Sequence, residues 1–141
     1  MKNLLKLLLA VFVFAISVSL QAQQGKKPGN GTQTKPKVEV YYFHFTARCA
    51  TCHAVEDNSK NALETLYPEQ VKKGEYVFRA LNLNEASTKS IAEKLGASGQ
   101  TLLVVSGNKK IDITSQGFLY AYEPDKIKEE IKKAVNKVLA Q

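Results

Sequence analysis

The chain has 141 residues, with 20 Lys and Arg against 13 Asp and Glu, a formal charge of +7, 44% hydrophobic residues and two cysteines. That length suits one domain with a terminal extension, and the hydrophobic share excludes a wholly disordered or collagen-like chain. The positive excess is nearly all lysine interspersed with acids, with only Arg48 and Arg79 as arginines, so it reads as a solvated surface and no nucleic-acid partner is expected.

Residues 1–22 read as a secretory signal peptide. Lys2 and Lys6 supply the positive start, Leu7–Leu20 is almost wholly apolar, and Ala22 offers a small residue for cleavage. The apolar stretch is short of the ~20 residues a spanning helix needs and lacks a basic stop, so no stable membrane anchor is expected after cleavage. Loss of Lys2 and Lys6 lowers the formal charge from +7 to +5. The expected location is the periplasm, an oxidising compartment where a cysteine pair can exist as a disulfide. Residues 23–37 (QQGKKPGNGTQTKPK) carry no aliphatic or aromatic side chain and read as a disordered linker. Residues 38–141 then form one domain, large enough for a core without disulfide staples.

Val38–Phe45 (VEVYYFHF) is β-branched and aromatic, which predicts a central strand covered on both faces. From Ala50 to Tyr67, Val55, Ala62, Leu63 and Leu66 fall on one side and Glu56, Asp57, Lys60 and Glu64 away from it, predicting a helix that Pro68 stops. Tyr76–Leu83 alternates as a strand. Ala86–Leu95 is a short amphipathic helix closed by Gly96, a residue suited to a left-handed cap. Thr101–Ser106 reads as a buried strand, and Gly107-Asn108 turns it into an antiparallel partner at Lys109–Thr114. A final helix starts at Pro124, with its apolar stripe at Ile127, Ile131, Ala134, Val135, Val138 and Leu139. The order β-α-β-α-β-β-α predicts an α/β domain: a four-stranded mixed sheet, its first two strands parallel, flanked by three helices. The C-terminal end of the first strand then lies at the sheet's crevice edge, where Cys49 stands.

Cys49-Ala50-Thr51-Cys52-His53 holds both cysteines and admits three chemistries: a redox-active disulfide, a c-type haem attachment site, or half a metal site. For haem, His53 would be the proximal ligand, but the only methionine is Met1, which leaves with the signal, so His44 or something unusual would have to be the second ligand. For a metal, adjacent Cys52 and His53 point about 100° apart on a helix, which makes one tetrahedral site awkward. His44 itself reads as a packed strand histidine. An inert staple is disfavoured, because so small a loop removes little unfolded-state entropy. The favoured reading is a redox-active pair with no cofactor and no metal. A thiolate is the attacking species, and a helix N-terminus favours it, so Cys49 is the expected nucleophile and Cys52 the more buried resolving thiol. Arg48 and His53 are placed to add positive charge, and Thr51 to hydrogen-bond a sulfur.

The strand Val40–Phe45, Cys49-Ala50-Thr51-Cys52 opening a helix, Gly96–Val105 entering the third strand, Gly117 after the fourth and the amphipathic last helix together resemble the thioredoxin superfamily in its minimal, glutaredoxin-type layout. YYFHFTARCATCHAVE and SGQTLLVVSGNKKID are similar to exported thioredoxin-like proteins of the ArsF type, subunits of nitrophenyl compound nitroreductase. The resemblance implies thiol–disulfide exchange or electron transfer, and a link to reduction of aromatic nitro groups on organoarsenicals. Departures from the superfamily pattern accompany it. Gln100 stands where a cis proline usually precedes the third strand, Phe43 where a buried acid stands six residues before the first cysteine, and Arg48 where a tryptophan does. Without proline a trans bond is expected, since cis costs ~3 kcal/mol. These changes point to one dedicated thiol or disulfide partner protein. Phe118, Leu119, Tyr120 and Tyr122 form a candidate contact patch, with core packing as the alternative. A non-catalytic adaptor is the remaining functional class.

Overall fold

The computed structural model describes residues 35–140. The expected signal peptide (1–22) and most of the expected linker (23–37) lie outside the described residues. In chain order the elements are β1 (Val38–His44), α1 (Ala50–Leu66), α2 (Pro68–Lys72), β2 (Tyr76–Asn82) and α3 (Ala86–Leu95). There follow β3 (Thr101–Ser106), β4 (Lys109–Asp112), α4 (Thr114–Leu119) and α5 (Pro124–Ala140).

The strands form one mixed sheet in the order β2-β1-β3-β4. β1 runs parallel to β2 and antiparallel to β3, and β3 and β4 make the antiparallel hairpin. This is an α/β, thioredoxin-like fold, with β1 in the interior of the sheet as its β-branched and aromatic composition requires. Alternation along β1 sends Val38, Val40 and Tyr42 to one face and Tyr41 and Phe43 to the other. On the first face they join Val55, Ala62 and Leu63 of α1, Leu102 and Val104 of β3, and the Ile127–Val138 stripe of α5. On the second, Tyr41 and Phe43 pack with Ala92 and Leu95 of α3 and with Leu103 and Val105 of β3. Gly96 takes the left-handed cap of α3 at φ 73°.

Among the described residues there are five helices where the sequence predicts three. α1 ends before Pro68 as expected, but the proline then stands in the first turn of α2 with Glu69 beside it, a combination that starts a helix as well as stopping one. The second addition lies after β4, which stops at Asp112 instead of Thr114. Asp112 Oδ1 accepts the Thr114 N–H at 2.9 Å, while Leu102 donates its N–H to Thr114 Oγ1 at 2.9 Å and accepts from Ile113 N–H at 3.0 Å. These bonds turn the chain off the sheet and into α4, so Gly117–Leu119 is helical instead of an irregular connection.

Candidate functional site

β1 delivers the chain to the sheet edge, five residues cross it, and α1 starts at Ala50 with Cys49 as its N-cap in extended conformation (φ −86°, ψ 170°). An N-cap residue usually closes a side-chain hydrogen bond to the first turn. No side chain does so here, and the first turn contains no acid. The unpaired N–H groups of that turn are therefore left to act on the Cys49 sulfur, which is exposed.

Cys52 lies one turn further on and is 3% exposed. Both cysteines are free thiols, their sulfurs 2.9 Å apart. A disulfide needs about 2.0 Å between sulfurs, so the pair is within a small movement of forming one. The Cys49 thiol is held below the ordinary thiol range. The Cys52 thiol donating to it contributes most, then the Cys52 backbone N–H, with the Thr51 N–H and hydroxyl contributing less. Exposure and a lowered titration point fit Cys49 for attack, and burial fits Cys52 for the resolving position.

Gln100, one residue before β3, sets its amide against the Cys52 sulfur, with Nε2 at 3.3 Å and Oε1 at 3.5 Å. Every peptide bond among the described residues is trans, that before Thr101 included. Thr51 Oγ1 lies 3.2 Å from the Tyr122 hydroxyl, which brings the end of the aromatic run beside the cysteines. His53 is exposed on α1. Arg48 is paired with Glu56, both largely covered, so its charge is directed along α1 and not onto Cys49. His44 is 9% exposed, and its Nδ1 donates to the Phe45 carbonyl at 2.9 Å. No cluster of three His, Cys, Asp or Glu side chains that could hold a metal occurs among the described residues.

The aromatic run divides. Phe118 and Tyr120 pack against the larger core, Tyr120 with Lys126 Nζ 5.0 Å from its ring centroid, while Leu119 and Tyr122 are 70% and 66% exposed. Phe45, at the end of β1, is also exposed at 40% and was not singled out in the sequence. Two further residues at the site escaped it. Glu56 reads in the sequence as part of a solvated face, although it follows Cys52 by four positions and so shares its side of α1. Tyr42 is fully buried on the cysteine face, and the period of two along Val38-Val40-Tyr42 was the signal for it. Counting six residues back from Cys49 instead lands on Phe43, which packs on the opposite face.

Among the described residues no helix is long and apolar enough to cross a membrane. No family model matches this chain, and neither does any curated protein or solved structure.

Proposed function

We propose that the protein is an exported thiol–disulfide oxidoreductase or electron carrier that uses Cys49 and Cys52 and serves one partner. The observation that carries the reading is the asymmetry of the pair: an exposed Cys49 with a lowered thiol at the start of α1, and a buried Cys52 with its sulfur 2.9 Å away. The Cys49 thiolate attacks one sulfur of the partner's disulfide, forming a mixed disulfide and releasing the other partner sulfur as a thiol. Cys52 loses its proton and attacks Cys49 Sγ. The partner's second sulfur leaves, and two electrons have passed from the protein's thiols to the partner. The reverse sequence oxidises a dithiol.

Trans Gln100 beside Cys52 and the exposed Leu119, Tyr122 and Phe45 support a dedicated partner. A generalist relies on backbone pairing that any extended chain supplies, whereas one complementary surface selects one protein. The likeness to ArsF-type subunits makes a nitroaromatic or organoarsenical reduction system the candidate setting.

The test is disulfide exchange with a model disulfide, followed by trapping in the host. Cys49→Ser should abolish turnover, and Cys52→Ser should stop at the mixed disulfide and hold one or two partners. Full activity of both variants would make the protein an adaptor. A red protein that keeps its haem after denaturation would replace exchange with cytochrome chemistry at Cys49–His53, and a broad smear of trapped proteins would remove the dedicated partner.

A further inference from the structure

We infer that the Tyr42 hydroxyl is a built-in hydrogen-bond donor for the Cys52 thiolate, acting in the step that closes the Cys49–Cys52 disulfide; this rests on the exchange reading above. Tyr42 is fully buried, and its hydroxyl is one of only two buried side-chain polar atoms without a hydrogen-bond partner among the described residues, the other being that of Ser59. A buried, unpaired hydroxyl is a cost that phenylalanine would avoid. Phenylalanine already occupies Phe43 and Phe45 of the same stretch, so an aromatic filler alone does not account for the tyrosine.

The strand register places Tyr42 on the sheet face that carries the site. Tyr42 pairs with Leu102 and Phe43 with Thr101, so Gln100 comes level with His44, and the Gln100 amide rests on Cys52. Cys52 therefore lies above the end of β1 on the face that carries Tyr42. Tyr42 also shares its buried cluster with Val55, three residues after Cys52 on α1. Burial first, then the charges of Cys52, Glu56 and Cys49, keep Tyr42 protonated above the ordinary tyrosine range, with Arg48 opposing them. From β1 the His44 ring stands 5.9 Å from the Tyr42 ring, with its Nδ1 on the Phe45 carbonyl. On α5 the facing residues Ile127, Ile131, Ala134, Val135 and Val138 are apolar.

In the dithiol, Cys52 exchanges hydrogen bonds with Cys49 and Gln100. Once Cys49 is bonded to a partner sulfur, its thiol is gone, and Cys52 must release a proton to solvent from a buried position before it can attack. An anion then appears on the face that carries the unpaired Tyr42 phenol, which stays protonated and can turn to donate to it. As the Cys49–Cys52 bond forms and the partner sulfur departs with the electron pair, the charge leaves and the phenol is unpaired again.

The reduced protein is mixed with an aryl disulfide that releases a coloured thiolate at each step, the first release reporting Cys49 and the second Cys52. In Tyr42→Phe the first release should be unchanged. The second should slow about tenfold at neutral pH and its pH–rate profile should move to higher pH, the scale of one hydrogen bond to an anion. An ortho-fluorinated tyrosine at this position, a more acidic phenol of nearly the same size, should move the profile the other way. Ser59→Ala, which removes the other unpaired hydroxyl, should leave both releases alone. An unchanged second release in folded Tyr42→Phe, or equal slowing in Ser59→Ala, overturns the inference while exchange stands. Absence of any second release from the unaltered protein removes the exchange reading itself, and this inference with it.

Discussion

Adjacent residues Tyr41 and Tyr42 face opposite sides of the sheet, and the two sides are built to different ends. Tyr41 packs with Phe43, Ala92, Leu95, Ala97, Leu103 and Val105, its ring stacked on Phe43 at 5.8 Å, in the field of a Glu39–Arg79 pair whose atoms meet at 2.9 Å. That side is closed packing under one short helix. The Tyr42 side is larger, lies under α1 and α5, and also carries Cys52, the Arg48–Glu56 pair and both unpaired buried hydroxyls. One sheet's thickness divides the two sides: the smaller is closed packing alone, and the larger joins most of the buried core to the cysteine pair and the unpaired hydroxyls.

The largest test of that separation is Phe43→Ala. Phe43 is fully buried on the side away from the cysteines, and truncating such a ring costs about 3–5 kcal/mol. Denaturant unfolding should show that loss, while the pH dependence of Cys49 alkylation, measured where the variant is still folded, stays where it was. The groups that lower the Cys49 thiol, Cys52 and then Thr51, do not include anything Phe43 touches. A shift of the alkylation profile would mean that the two sides are coupled through the sheet.

The sheet was legible in the sequence because each strand announces itself by period and by its turn: β3 and α3 fall on their expected boundaries, and Gly96 caps α3 as its lack of a Cβ allows. The site was legible in its cysteines, because a two-residue gap at a change from strand to helix period is a local signal. Gln100 and Thr51 are legible as well, and they meet Cys52 and Tyr122 respectively. What was not legible depends on distant partners. α4 exists because Leu102, in another strand, brackets Ile113 and Thr114. Arg48 reads as a neighbour of Cys49 along the chain, yet its charge meets Glu56, eight residues on. Tyr42 is tied to the cysteines by the face of β1 it occupies and not by its distance from Cys49 along the chain.

A smaller effect is expected on the reactive side from Gly117→Ala. A Cβ there would come within 2.8 Å of Leu102 Cδ2 and 3.5 Å of Val55 Cγ1, so α4 sits against β3 and α1 at a distance only glycine permits. Overpacking of this kind costs about 1–3 kcal/mol. Because α4 leads directly to Tyr122, the thermal midpoint and the Thr51–Tyr122 contact should change together, the latter read from the ring signals of Tyr122. A melting curve like that of the unaltered protein would show that Leu102 yields, and that this side tolerates change as readily as the other.

The smallest and most discriminating comparison is Tyr41→Phe against Tyr42→Phe, read as stability against pH. At neutral pH, Tyr42→Phe removes a hydroxyl that has no partner and should be neutral or stabilising, whereas Tyr41→Phe loses its hydroxyl's hydrogen bond with Glu39, about 1 kcal/mol. At alkaline pH both tyrosines bear on the fold. Tyr41 is pushed up from 10.0 to about 12, first by burial and then by Glu39, with Arg79 opposing, and Tyr42 is raised further by burial and then Cys52. A phenol whose folded value exceeds its unfolded one contributes fully below the unfolded value, and its contribution is lost as pH rises towards the folded one. Urea midpoints of the unaltered protein should therefore fall between pH 10 and about 12, and each variant should lose less over that interval. If Tyr42→Phe proves the more destabilising of the two at neutral pH, its hydroxyl is bonded in the reduced protein, and the contrast between the two sides of the sheet narrows to their cysteines alone.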